Sequence, residues 1–194
     1  MAPATLVGLL ILMVSVNLED TRYEPRQGSE TVPFVRMADG KSWTARNLDV
    51  VVDPSYCYDG IEANCRRYGR LYTWASALRA CATLGQGWRL PSNEEWRELG
   101  RQYGGIRQDS ADLGRAAYDA IKEGGPSKFE ALLGGGRAPD GTYARAEAHG
   151  FFWSATESSA AHAWFYNIGR NGQSFGHHTE GEKDGALSVR CVRD

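Results

Sequence analysis

The chain has 194 residues, 42% hydrophobic and 11% aromatic, with six Trp, nine Tyr and six Phe, which is enough apolar area for one globular domain and excludes a disordered chain. Its 24 acidic and 22 basic residues give a net charge of −2, so the strong basic excess of a dedicated nucleic-acid binder is missing. The 23 glycines, most of them in the second half, point to many turns and loops rather than long helices.

Residues 4–16 (ATLVGLLILMVSV) form an uncharged apolar run. A bilayer crossing needs about 20 residues, so this shorter run at the N-terminus reads as a signal-peptide core, although no Lys or Arg precedes it and no A-x-A site follows. The alternative is a buried N-terminal helix or strand. The polar stretch after it carries no periodicity, so residues 1–33 are expected to be leader and linker and residues 34–194 the domain. FVRMADGKSWTARNLDV, from Phe34, alternates around Asp39-Gly40 and predicts a hairpin.

Cys57 and Cys65 bracket a short polar loop, CYDGIEANC, while Cys81 and Cys191 stand far apart. No C-x-x-C knuckle is present, so a structural zinc site is a poor reading. An even count in an exported chain suggests two disulfides, with three possible connectivities. Local pairing of Cys57 with Cys65 leaves Cys81 for Cys191; four buried free thiols are the alternative. The longer bridge would stabilise by about 4–5 kcal/mol on the loop-entropy model.

Tyr72 to Leu84 predicts a helix with Trp74, Leu78 and Cys81 on its inner face. Ser92 and Glu95 form a capping box (S-x-x-E) before Trp96 and Leu99, and Gly104-Gly105 ends that helix. A further helical stretch runs from Ser110 to Lys122, with Leu113, Ala117 and Ile121 on one stripe. From Gly124 to Gly150 the chain reads as a long loop, a length that in a compact domain marks a ligand-facing segment. The last third is β in character. Gly150 to Ser154 is an aromatic strand, His162 to Gly169 alternates, Asn171-Gly172 turns, Gln173 to His178 returns, and Ala186 to Val192 closes the domain. Two to three helices followed by an antiparallel meander give an α+β pattern, with Trp74, Trp88, Trp96 and Trp153 as core rings.

Five blocks carry a resemblance: DGKSWTARNLDV with the CYDGIEANCRRYG loop, GRLYTWASALRACATLGQGWRLPSNEEW, FEALLGGGR, FFWSATES and GALSVRCVRD. In order and spacing they resemble the Fibrobacter succinogenes major paralogous domain over residues 34–194. The resemblance implies a C-type-lectin-like fold, related to that of the formylglycine-generating enzymes, and a secreted or surface-displayed protein. In that fold a helix cysteine joins the final strand, here Cys81 to Cys191. Some proteins with this kind of C-terminus are targets of diversity-generating retroelements, whose diversified residues line a ligand-binding face. The corresponding stretch here runs from Trp164 to Glu182, and offers Trp164, Tyr166, Asn167, Arg170, Asn171, Gln173, Ser174, His177 and His178 as candidate ligand contacts. Rings give contact area at low entropy cost and amides adapt their hydrogen bonds, which suits recognition. The competing reading is an ordinary solvated hairpin with inward aromatics.

Other chemistry is sparse. The calcium and sugar motifs of lectins (E-P-N or Q-P-D, and W-N-D) are absent. Glu180, Glu182 and Asp184 have the oxygen chemistry for a hard cation, but a charge run in a loop is more often solvated. His177 and His178 with Glu180 are adjacent on a strand and so point to opposite faces. GGGR at 134–137 lacks the Lys and Ser/Thr of a phosphate loop, and Glu94 and Glu95 fit a helix N-terminus. A reactive cysteine pair would need Cys191 outside a disulfide. The expectation is therefore a non-enzymatic protein with no cofactor and no resident metal, which binds a protein or glycan through its C-terminal hairpin. The alternative is a subunit of a surface fibre that associates through its N-terminal apolar segment.

Overall fold

Period-2 alternation, one capping box and one tight turn set most of the elements. The computed structural model describes residues 32–194, so the expected apolar leader and nearly all of the linker lie outside the described residues. The Asp39-Gly40 hairpin forms as read: β1 (Phe34–Arg36) pairs antiparallel with β2 (Ser42–Thr44), and Gly40 takes the positive φ (81°) that the turn needs. The chain's last strand, β10 (Val192–Arg193), lies along the other side of β2. β3 (Ser55–Tyr56) and β4 (Leu71–Tyr72) make a small ladder beside it.

The main sheet holds β5 (Gly134–Arg137), β6 (Tyr143–Ala146), β7 (His149–Glu157), β8 (His162–Gly169) and β9 (Ser174–Glu182), in the order β6-β5-β7-β8-β9. Neighbours are antiparallel except β5 and β7, which run parallel where Gly135 faces Gly150. Among the described residues four α-helices complete the fold: α1 (Glu62–Tyr68), α2 (Trp74–Ala82), α3 (Asn93–Gln102) and α4 (Arg115–Ile121). The class is α+β.

Several local expectations are corrected. Four helices replace two or three, because the segment between Cys57 and Cys65 is not a plain loop: it holds a 3-10 turn and the start of α1, with Cys65 inside the helix. α1 has seven residues and no side-chain N-cap, so no local signal announces it. Leu78 is 36% exposed; α2 buries Ser76, Ala77, Ala80 and Cys81 instead, a stripe rotated one step from the one read through Trp74. Leu113 is 55% exposed with φ 57°, outside α4. The helix starts at Arg115 because the Asp112 carboxylate accepts the free N–H groups of Gly114 (3.0 Å) and Ala116 (2.8 Å). The expected loop 124–150 contains β5 and β6. Glycine hid the first of these, since Gly135 has φ 65° and a Cβ there would lie 2.5 Å from Ala144 O. Asn171-Gly172 is no two-residue turn: residues 170–173 span the gap between paired Gly169 and Ser174, with Gln173 at φ 44°. Ala186 to Val192 is mostly isolated bridges, only Val192–Arg193 being strand.

The capping box forms in full, with Ser92 Oγ accepting from Glu95 N (3.2 Å) and Glu95 Oε2 from Ser92 N (2.9 Å). The α3 face then delivers Trp96 to the core, where its ring meets Trp43 (4.9 Å), Tyr166 (5.3 Å, stacked), Phe152 (5.6 Å) and Phe129 (5.9 Å). A second apolar cluster gathers Tyr72, Trp153, Val189 and both cysteines of the Cys81–Cys191 disulfide. Of the expected core rings, Trp96 and Trp153 are fully buried and Trp88 nearly so, while Trp74 is half-buried, donating to Ser154 O (2.9 Å). Both expected disulfides are present, Cys57–Cys65 and Cys81–Cys191.

Arg190 is wholly buried. Nε donates to Asn47 Oδ1 (2.9 Å), Nη1 to Thr44 O (2.7 Å) and Phe129 O (2.6 Å), and Nη2 to Glu130 O, while the guanidinium lies over the Phe129 ring (4.3 Å). Burial pulls the group down to about 9, Glu130 opposing the pull and Arg46 adding to it, so it remains charged at neutral pH.

Three outcomes follow from this framework. Arg190→Met keeps the bulk but strands three carbonyls, and urea titration should show a loss of ~3 kcal/mol or more. Opening the 110-residue loop with Cys81→Ser and Cys191→Ser should cost about 4–5 kcal/mol, against roughly 2–3 kcal/mol for the eight-residue Cys57–Cys65 loop. Glu95 is held at about 2 despite burial that would raise it, by hydrogen bonds from Arg89 (2.6 and 2.8 Å) and Ser92 N–H and by Lys41 (3.4 Å). Because the folded value lies below the ordinary 4.5, its stabilisation is complete above pH 4.5 and is lost as pH falls towards 2. Glu95→Gln should flatten that part of the melting-temperature profile.

Candidate functional site

Alternation along β7, β8 and β9 sends rings to two faces of one sheet. Phe152, Tyr166, Ile168 and Phe175 turn towards Trp96 and α3. Phe151, Trp153, Phe165 and His178 take the other face, joined by the registers Trp153↔Phe165 and Phe165↔His178. On that second face the rings form a continuous ribbon. His149 stacks on Phe151 (5.5 Å, 5°), Phe151 meets Phe165 edge-on (6.0 Å, 72°), and Phe165 stacks on His178 (4.9 Å, 12°). Asn167 Nδ2 donates to His149 Nδ1 (2.8 Å), and His178 Nδ1 lies 3.2 Å from Glu180 Oε1. Burial first, then Arg145 and His178, hold His149 below its ordinary value, so its ring is neutral at pH 7.

Phe151 and Phe165 of this ribbon line a groove of about 290 Å³. Phe151, Trp153, Phe165 and Leu187 form its base, and Gly136, Ala138, Ala144, Gly181 and Gly185 its sides. Residues from β5 and β6 and from β9 all line it although they stand at opposite ends of the strand order, so the sheet is curled. Ala186 secures the curl by exchanging backbone bonds with Arg137 (2.9 and 2.7 Å). The walls lack side chains for a physical reason. A Cβ at Gly181 would sit 2.6 Å from Trp153 Cζ3 and 2.8 Å from Ala163 O, and one at Gly136 would sit 3.1 Å from Leu187 Cδ2. Around the rim stand Arg137, Arg145, Glu180 and Glu182, and Arg137 lies over the Tyr56 ring (4.2 Å).

The nine residues singled out from sequence do not form one site. His178 and Asn167 belong to the ring-bearing groove face. Trp164 and His177 touch one another (4.8 Å) on the side of the sheet that carries Tyr166, and Gln108 clamps the His177 backbone there. Burial, then Arg97, keeps His177 below its ordinary value as well. Tyr166 is a core residue: it is fully buried, and its hydroxyl donates to Asn93 Oδ1 (2.7 Å). Ser174 is also buried. Arg170, Asn171 and Gln173 occupy the turn at the far end of the β8–β9 hairpin from the groove, and Arg170 instead borders a cleft with Arg67, Tyr68 and Lys122. The sequence reading missed Phe151, Phe165, Arg137, Arg145 and the wall glycines. Glycine at 136, 181 and 185, close to aromatic strands, was the available signal. Glu180 and Glu182 sit on the groove rim and Asp184 is exposed nearby. Among the described residues, the one trio with metal-ligand spacing is Cys57, Glu62 and Cys65, whose sulfurs are joined in a disulfide.

Fold and groove together define a disulfide-stapled α+β domain with an open, ring-floored concavity. The chain matches the family model described as the Fibrobacter succinogenes major domain over residues 15–193, and it belongs to that family. No curated protein and no solved structure matches it.

Gly181→Val should close the groove against Trp153 and Phe165 and destabilise by ~1–3 kcal/mol, because the obstacle includes backbone. A thermal melt unchanged from the parent protein would show that this wall has more room than described.

Proposed function

We propose that the domain is an exported, non-catalytic recognition module of C-type-lectin-like architecture that holds a ligand non-covalently in the ring-floored groove. One observation carries the reading: a concavity lined by Phe151, Phe165 and Leu187 is bordered mostly by small residues, Gly136, Ala138, Ala144, Gly181 and Gly185, with two arginines and two glutamates beside them. Exposed apolar surface of this kind costs stability unless it is used. Two disulfides suit an oxidising compartment outside the cytosol. They also engage all four cysteines, which leaves no thiol for covalent chemistry. The Cys81–Cys191 tether from helix to final strand supports the lectin-like architecture. Among the described residues, no helix is long and apolar enough to cross a membrane.

Phe165, Glu180 and Glu182 come from the stretch in which a retroelement would diversify codons, so variation there would reshape this groove. A near-copy of the 3′ end beside a reverse-transcriptase gene is the observation that supports diversification.

Binding is tested by screening the immobilised domain against an oligosaccharide array and a random linear-peptide library, then titrating the hits calorimetrically. Phe165→Ala should weaken a genuine hit by ten- to a hundredfold. Trp164→Ala, on the other side of the sheet, should change it less than threefold. Hits indifferent to Phe165 overturn the reading.

A further inference from the structure

We infer that the groove's ligand is a short extended peptide presenting one large apolar side chain between an acidic and a basic residue. The inference rests on the groove being the binding site and adds the chemistry of its occupant. The argument is the rim. Arg137 and Arg145 rise from β5 and β6, Glu180 and Glu182 from β9, and among the described residues no ion pair joins the two sets. Yet the two walls nearly meet. The missing Cβ of Gly185 would lie 3.1 Å from Glu182 O and 3.2 Å from Arg137 O. Glu180 is already met by His178 and by the Thr179 N–H, and Arg137 lies over the Tyr56 and Tyr143 rings, so Arg145 and the exposed Glu182 are the cationic and anionic groups left for a partner of opposite sign. An occupant that brings one carboxylate and one ammonium or guanidinium satisfies both groups at once and also fixes its own direction in the groove.

Size and lining agree. About 290 Å³ is at the lower end for ligand pockets, room for one or two apolar side chains and too little for a folded surface. The floor of Phe151, Phe165 and Leu187 offers ring and methyl contacts to such a side chain. No Asn or Gln side chain lines the groove and Thr142 supplies its one hydroxyl, a poor set for orienting the many hydroxyls of a neutral sugar. Zwitterionic peptide sequence fits; neutral glycan does not.

Phage display of linear heptapeptides against the whole protein tests this. The expected result is a consensus with an aromatic or Leu-sized residue flanked by residues of opposite charge. The synthesised winner should bind three- to tenfold more weakly to Glu182→Gln and to Arg145→Gln, and more weakly to both proteins' parent in 0.5 M salt than in 50 mM. Phe165→Ala should weaken its binding by about ten- to a hundredfold, with circular dichroism melts showing that each variant is folded. Failure to enrich any consensus overturns the peptide assignment, as does a consensus without charge. If oligosaccharides bind instead and Phe165→Ala removes them, the occupant is wrong while the groove stands. If enriched peptides ignore Phe165, the groove itself is wrong.

Discussion

A guanidinium sealed inside the protein is the constraint on which the rest turns. Among the described residues no carboxylate pairs with Arg190 at ion-pair distance; three carbonyls, one amide oxygen and the face of Phe129 replace water around it. A buried charge held this way is tolerable only if every acceptor is in place, so Thr44, Asn47, Phe129 and Glu130 are drawn to one point. One residue on, Cys191 is bonded to α2 through Cys81, and its N–H donates to Thr44 Oγ1 (3.1 Å). The tail of the chain is thus fastened from two sides, electrostatically and covalently, and the first hairpin, α2 and the loop before β5 are fastened with it.

With the tail so placed, Ala186 to Ser188 run against strands from the middle of the chain. Leu187 exchanges backbone bonds with Tyr72, Ala186 with Arg137, and Ser188 N donates to Phe151 O (3.0 Å). This seam keeps the main sheet curled. The curl converts an ordinary two-faced sheet into one with a filled side around Trp96 and a hollow side around Phe165. Side-chain size then decides what the hollow contains. At Gly181 a Cβ would run into Trp153 and Ala163 O, and at Gly136 and Gly185 it would be crowded, so small residues border the hollow.

Local signals were readable from sequence wherever the physics is local. The Ser92–Glu95 box, the Asp39-Gly40 hairpin and the long alternating strands depend on neighbours a few residues away, and they form as expected. The two disulfides followed from spacing together with family resemblance. Glycine-rich β5 could not be read, since its strand conformation is imposed by β6 across the ladder and by the Tyr58 ring, 2.8 Å from a Cβ built at Gly135. α1 likewise owes its turns to a disulfide and to buried Tyr68 rather than to a cap. The nine candidate contacts are divided between the two faces of the sheet and its turn for a related reason. The family resemblance pointed to the whole hairpin, but alternation divides that hairpin between core and surface, and which face is hollow depends on a curl closed by Ala186 with Arg137 and Leu187 with Tyr72, outside the hairpin. Tyr166 and Phe165 are adjacent and equivalent in composition; only the tertiary fold makes one a core ring and the other a groove floor.

The seam has a consequence for biosynthesis. Strand β10 borders β2, and Leu187 slots beside Tyr72, so elements from the first half of the domain pair with residues far along it. A ribosome delivers those partners long after the residues they join. Until they emerge, the early hairpin has one open edge, α2 carries an unpaired thiol, and the acceptors reserved for Arg190 face solvent. The domain therefore sets into shape only after Leu187 to Val192 have emerged to meet Tyr72, Arg89 and Trp43.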